Sequence, residues 1–579
     1  MVSKAEIVSQ AAEGTLHQFI VDNYERGGEA DDAAIQNLAV KLHNRGDIDL
    51  LSALTPQALE DVKGFHFFTL QQFYCAVIPK LEADPLRLMG AVSGLVNTGG
   101  EDMAANMPNA AFRDWCAAKP ERPDTVLALI EADAEGAKHN LTFALEAGAA
   151  SDLERYVRKA IAYLQQVPDL RLGALTALAR IDVSTDAALA RDAMTAVVAL
   201  LVDGVDEMLA THVFAAVVGL YKRSPDVLHD AAFAAMREAV QNGSDGALHQ
   251  CASVLFNERT KLSEPIVELL LTALEGLNPK NLGTINSLDV ALSELIKAGK
   301  GQRVSEFLES VLLQHPDELS MKNFDSVGYA LMMSDRALCD DIVVRWLLSG
   351  KSSLASEISE VIGSTGNDPA TFDIDIKPYS LSDTEAIFLA RKAVGWFFFR
   401  PITAASLIIC ILRTVKGQTA NDIGDLLFEP LLLNYSGELR EYLGKKLKGP
   451  RDKAKPQIRR ALGKLEAYMS GLQNAGFIDE LAPSERERLI EQQQQNERMR
   501  QIQKQAEASS VLLSFVSRSI ILHGNGSVSY VRGLDGTLHR NAMKMGGFNT
   551  TWEAPRLQVI DPFGLDMQLR HFRSERLAS

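Results

Sequence analysis

The sequence predicts a mostly α protein: an α-solenoid of stacked antiparallel helix pairs with a small C-terminal β-rich module. Three observations carry this expectation. Short amphipathic segments recur about every 18 residues, so one antiparallel pair takes about 36. Pro, Asp and Ser breakers separate them, as at Val167-Pro168-Asp169, Ser224-Pro225-Asp226 and His315-Pro316-Asp317. From Ser510 onward the apolar period falls to two, and Gly-containing turns appear.

Bulk properties bound the rest. The 579 residues correspond to a prior of roughly four domain-sized units. A chain 46% hydrophobic and 23% charged can bury a core, which excludes a disordered or collagen-like protein. The net charge of −16 argues against a wholly basic protein that coats nucleic acid. Cys75, Cys116, Cys251, Cys339 and Cys410 lie far apart without a C-x-x-C pair. That spacing suits core thiols in a reducing compartment and gives no metal or redox site. The opening MVSKAEIVSQAAEG lacks the apolar run of a signal peptide, so a cytoplasmic location is expected.

The elements follow in order. Residues 1–150 read as an N-terminal helical region, a candidate cap for the solenoid. Asp31 is placed to cap a helix with the stripe Ile35, Leu38 and Leu42, stopped by Gly46. Thr55-Pro56 marks another helix start. Residues 151–366 hold the repeats. In LRLGALTALARI, Leu172, Leu175 and Leu178 form one stripe, while Ala174 and Ala177 keep a neighbouring face small enough for close packing. The next two segments repeat this with Leu189, Ala193 and Val197, then with Leu209, Val213, Val217 and Leu220.

Residues 367–380, NDPATFDIDIKPYS, read as a polar linker with two prolines. Ser382 and Glu385 make a capping box that opens a helical domain over 381–481. Inside it, AVGWFFFRPITAASLIICIL from Ala393 is broken by Arg400 and Pro401. It is therefore read as a buried helix pair and not as a membrane span of about 20 residues. A second capping box at Ser484 and Glu487 opens a charged, Gln-rich helix over 484–508. Residues 511–579 are read as the β-rich module, a unit tethered to the helical body. Its strands hold Ile520, Leu522, Val528, Tyr530 and Leu538, with turns at Gly524-Asn525-Gly526 and Asp535-Gly536. A last strand is expected over 557–560.

The segment LRLGALTALARID, after the Pro168-Asp169 turn, resembles the second helix of a HEAT or armadillo-type repeat. Similar spacing runs from about 151 to 363. The resemblance implies helix pairs that bind partners along extended surfaces, and some such proteins bind nucleic acid; the class implies no single activity.

Candidate chemistry is sparse. Gly350-Lys351-Ser352 matches the end of a phosphate loop, but Arg345 stands where its first Gly is needed, so it reads as a helix end. Asp373-Ile374-Asp375-Ile376-Lys377 resembles the D-x-K element with which metal-dependent nucleases hold magnesium; its proline-flanked setting favours a linker. His523, His539 and His571, with Asp535, Asp561 and Asp566, lack zinc-ligand spacing and read as surface and turn residues.

One charge anomaly stands out. Between 440 and 464 lie Arg440, Lys445, Lys446, Lys448, Arg451, Lys453, Lys455, Arg459, Arg460 and Lys464 against Glu441 and Asp452, a local net charge of +8. A cluster this dense can neutralise phosphates and release counterions. Only Tyr442 and Tyr468 interleave it, so base stacking is not suggested.

These readings converge on a non-enzymatic intracellular scaffold or adaptor subunit of a multi-protein complex, without a cofactor, metal or membrane segment. Protein partners are expected; the ten bases read either as a solvated face or a contact to the acidic solenoid, or as a contact to nucleic acid or another polyanion. Two other readings fit the same residues: a metal-dependent nuclease or NTP-dependent enzyme with a site hidden from sequence, and a protein–protein adaptor that touches no nucleic acid.

Overall fold

The computed structural model describes all residues except 1, 25–28, 63, 101–105, 134–135, 202–205, 242–243, 365–369, 450, 477–481, 510–525, 533–537, 545–552 and 578–579. The described chain is mostly helical and forms two compact units, Met1–Cys339 and Asp340–Ser579. The sequence places its own break later, in the linker after residue 366.

In the first unit the helices form two layers. Leu141–Ala149, Arg171–Arg180, Glu207–Arg223, Asp245–Glu258, Leu282–Lys297 and Asp325–Met333 pack one on the next. Leu153–Gln166, Ala187–Val198, Pro225–Gln241 and Glu264–Leu274 make the second layer. The first layer also runs back through Met107–Ala117 to Phe65–Val77. Breaker residues start these helices as their chemistry requires. Asp152, Asp186, Asp206, Ser244 and Asn281 each accept a first-turn backbone N–H. Thr55 caps the helix Pro56–Asp61 in the same way. Asp31 does not cap: it lies within the first turn of Glu29–Asn44, where its charge favours the helix dipole.

Polar pairs step from each repeat to the next. Arg155 and Lys159 reach Asp124, Arg180 reaches Glu146, Arg259 reaches Glu294, and Arg303 reaches Glu268, all 31–35 residues apart. That separation is the repeat period seen in the sequence. Buried Asp289 accepts the backbone N–H groups of Ser326 and Val327 at 3.1 and 3.0 Å, fixing the start of the following helix. At Gly219 two helices touch backbone to backbone: a Cβ there would lie 2.3 Å from the Ala179 carbonyl oxygen. Arg223 clamps this crossing, donating to the carbonyls of Ala179, Gly219 and Arg180.

The second unit is built around Pro401–Leu412, which is buried at every position but Ile402. Asp383–Phe397, Gly417–Leu426 and Glu438–Lys448 pack on it, and Lys455–Ala475 packs on Gly417–Leu426. The apolar stretch from Ala393 is thus a buried helix pair; among the described residues no helix is long and apolar enough to cross a membrane. Ser382 and Glu385 form the expected capping box. Gly350, with φ of +66°, follows the helix Arg336–Leu348.

The β-rich module over 511–579 is not formed. Its described residues contain one two-stranded ribbon, Gly526–Arg532 against Leu538–Lys544. They then continue as the helices Arg556–Ile560 and Pro562–Ser574. The strand expected over 557–560 is helical: Pro555 precedes it, and Asp561 caps the next helix through the N–H of Gly564. The turns at 524–526 and 535–536 involve residues outside the described set.

Residues 553–577 are not merely tethered. Leu565, Leu569 and Phe572 are buried, and their helix packs on Asp383–Phe397. Lys392 is 1% exposed, and its Nζ donates to the carbonyls of Arg573 and Glu575 at 2.5 and 2.7 Å. Arg573 donates to the Gly395 carbonyl, and Arg391 pairs with Glu575. By contrast the helix Glu485–Ser509, opened by Ser484 and Glu487, buries no residue.

Candidate functional site

The segment read as a linker is an extended wall of the second unit. Phe372, Ile374 and Ile376 point inward, whereas Asp373, Asp375 and Lys377 are exposed. Alternation in an extended chain puts successive side chains on opposite faces. Here a helix supplies the partner for the backbone. The N–H of Phe372 donates to Ser406 Oγ at 2.8 Å, that of Ile374 meets Cys410 Sγ at 3.2 Å, and Thr403 Oγ1 donates to the Ala370 carbonyl.

Facing this wall are the end of the helix Glu438–Lys448 and the loop after it. Together they enclose a cleft of about 740 Å³. Asp373, Asp375 and Lys377 line one side; Lys445, Lys446, Gly449, Arg451, Asp452 and Lys453 line the other; Ile374, Cys410 and Thr414 complete it. Arg413 ties the sides together. Its Nη1 meets Asp373 at 2.5 Å, and its Nε and Nη2 meet Asp452 at 3.1 and 2.9 Å.

Four of the ten bases singled out in the sequence therefore converge: Lys445, which also pairs with Glu441 at 2.7 Å, Lys446, Arg451 and Lys453. The others do not. Arg440 faces Glu466, and Arg460 and Lys464 are both paired with Asp425. Lys455 donates to the Gly449 carbonyl within its own loop. Lys448 and Arg459 are exposed on the same segment. Glu553 holds the carrier helix in place, accepting from the N–H groups of Gly437 and Glu438 at its start.

The electrostatics follow from these contacts. Hydrogen bonding to Asp452, which outweighs burial, raises Arg413 further above its ordinary range. At Asp452 burial pulls upward, but the Arg413 hydrogen bonds and charge outweigh it and hold the carboxyl below its usual range. Burial pushes the Cys410 thiol up to about 11, so at neutral pH it stays protonated and is a poor nucleophile. Burial likewise pushes Tyr442, beneath Lys446, up to about 12.

A depressed carboxyl stabilises the fold above its unfolded value, and that stabilisation is lost as pH falls through the folded value. Asp452→Asn is expected to lower the urea midpoint near pH 7. The gap from the parent should close as pH falls below about 4. Equilibrium unfolding at a series of pH values checks this; a gap that persists in acid would show that Asp452 acts without its charge.

The arrangement suits binding of an anion more than metal chemistry. Asp373 is engaged by Arg413, and among the described residues no group of three His, Cys, Asp or Glu side chains could hold a metal ion. His571 lies on the helix Pro562–Ser574, while His523 lies outside the described residues. Sequence reasoning missed Arg413, whose partners lie 39 and 40 residues away. It also set aside Asp373, Asp375 and Lys377, whose alternation with Phe372, Ile374 and Ile376 was the available signal. No protein-family model, curated protein or solved structure matches this chain.

Proposed function

We propose that this chain is a non-enzymatic scaffold or adaptor subunit of a larger assembly, acting in the cytoplasm. Residues 151–366, read as HEAT-like repeats, offer protein partners the surface of stacked helices. Its second unit contacts nucleic acid through the basic segment 440–464. One observation supports the second role above all: Lys445, Lys446, Arg451 and Lys453 gather at one cleft of a chain whose net charge is −16. Asp373, Asp375 and Asp452 in the cleft, and Glu441 beside Lys445, offset part of this charge, and an incoming anion would offset the rest.

Phosphate contacts of this kind release counterions, so binding should be tolerant of sequence and steep in salt. Four contacts give a slope of log K against log salt of about −3 for a single strand. The quadruple variant K445E/K446E/R451E/K453E is expected to lose binding at low salt. The pair Arg460→Glu and Lys464→Glu serves as a control, because both residues lie outside the cleft, paired with Asp425. Titration of labelled nucleic acid at several salt concentrations tests the reading. Absence of binding at low salt, or equal binding by the quadruple variant, would leave the chain an adaptor between proteins alone.

A further inference from the structure

The cleft has unlike walls, and that asymmetry says which form of nucleic acid it takes. This inference rests on the nucleic-acid reading above. One wall offers Lys445, Lys446, Arg451 and Lys453 beside Asp452; the other offers Asp373 and Asp375, with Lys377 at its end. Arg413 holds Asp373 and Asp452, and Glu441 pairs with Lys445 at 2.7 Å, so Asp375 is the carboxylate left to a ligand. Lys446, Arg451 and Lys453 form no ion pair with the described residues, and Asp375 forms none either; its Oδ1 accepts the backbone N–H of Lys377 at 3.2 Å. The volume, about 740 Å³, is that of a site for a small molecule or a few linked units.

A duplex fits this arrangement poorly. It carries phosphates along both edges, so seating one backbone on the basic wall turns the other toward Asp373 and Asp375. An unpaired strand has phosphates on one edge and free base edges on the other. Those base edges carry amino groups on cytosine, adenine and guanine, and an Asp carboxylate accepts from the cytosine amino group. Thymine has no amino group; its one base-edge donor, N3–H, lies between two carbonyl oxygens that repel a carboxylate, whereas the cytosine amino group is flanked on one side by C5–H. Among the described residues no aromatic ring lines the cleft, and stacking forms no part of this selection.

We propose that the cleft seats a single nucleic-acid strand, its phosphates on Lys445, Lys446, Arg451 and Lys453 and its amino-bearing base edges on Asp375. The basic wall supplies affinity, and Asp375 supplies a preference for cytosine over thymine.

The test is fluorescence anisotropy on the full chain with oligo(dC), oligo(dT) and a duplex of equal length. Oligo(dC) should bind about tenfold more tightly than oligo(dT), the scale of one good base contact. The duplex should bind more weakly than oligo(dC). Asp375→Ala should abolish the preference for oligo(dC) while leaving oligo(dT) binding equal or tighter, because it removes a negative charge. A variant that merely misfolded would weaken every probe together, and circular dichroism with the salt slope for oligo(dT) separates that case. Equal binding of duplex and oligo(dC), both lost in the quadruple variant, would overturn strand selection and leave nucleic-acid contact standing. An unchanged C-to-T ratio in Asp375→Ala would overturn the role of Asp375. Displacement by inorganic tripolyphosphate at equal phosphate concentration would show a site for compact anions and overturn the strand. No binding of any probe at low salt would remove both readings.

Discussion

Gly219→Val is expected to unfold the repeat unit or leave it destabilised by about 3 kcal/mol or more. Overpacking a core commonly costs about 1–3 kcal/mol because side chains shift to make room. Here the atom met is the Ala179 carbonyl oxygen, with the Ala179 Cα 2.6 Å away, so the helices themselves must separate. Separation would also break the three carbonyl contacts of Arg223, a side chain whose burial already disfavours its charge. Thermal unfolding followed by circular dichroism measures the loss. Gly463→Ala is the control: a Cβ there meets nothing within 4 Å. Near-parental stability of Gly219→Val would mean that the two helices do not cross this closely.

Truncation after residue 552 is expected to destabilise the second unit strongly. It removes Leu565, Leu569 and Phe572 from the face of Asp383–Phe397, and burial of such side chains is worth about 1.5–3 kcal/mol each. It also leaves the Lys392 ammonium without the two carbonyls that satisfy it, and a buried charge without partners is costly. The milder Phe572→Ala should cost about 3–5 kcal/mol. Urea unfolding of both variants checks the ranking. Unchanged stability on truncation would show that the returning segment is dispensable to the core.

What the sequence made legible was what repeats or what is local. Of the leucine and alanine stripes of 170–181, Ala174, Leu175, Ala177 and Leu178 are buried while Leu172 is only half-buried, and the capping boxes at Ser382 and Ser484 fall where expected. What it hid was long-range. Leu557–Ile560 looked like strand because Val559 and Ile560 are β-branched, yet both are exposed in a short helix set by its flanking Pro555 and Asp561. The alternation of 372–377 carried the right period, but its partner is the helix Pro401–Leu412, and among the described residues no strand pairs with it. The charge count located the basic segment. It could not sort Lys446 and Arg451, which line the cleft, from Arg460 and Lys464, which answer to Asp425 about 35–39 residues away.

The seat of Lys392 also dictates an order of events during synthesis. Its two carbonyl partners are made 181 and 183 residues after it. Until they are made, the face of Asp383–Phe397 that receives Phe572 has nothing to cover it, however early the neighbouring helices assemble. Closure across so long a loop is slow compared with forming local helices. During synthesis the unit is therefore expected to expose this apolar face for a time, as chains of this length do in stages prone to aggregation.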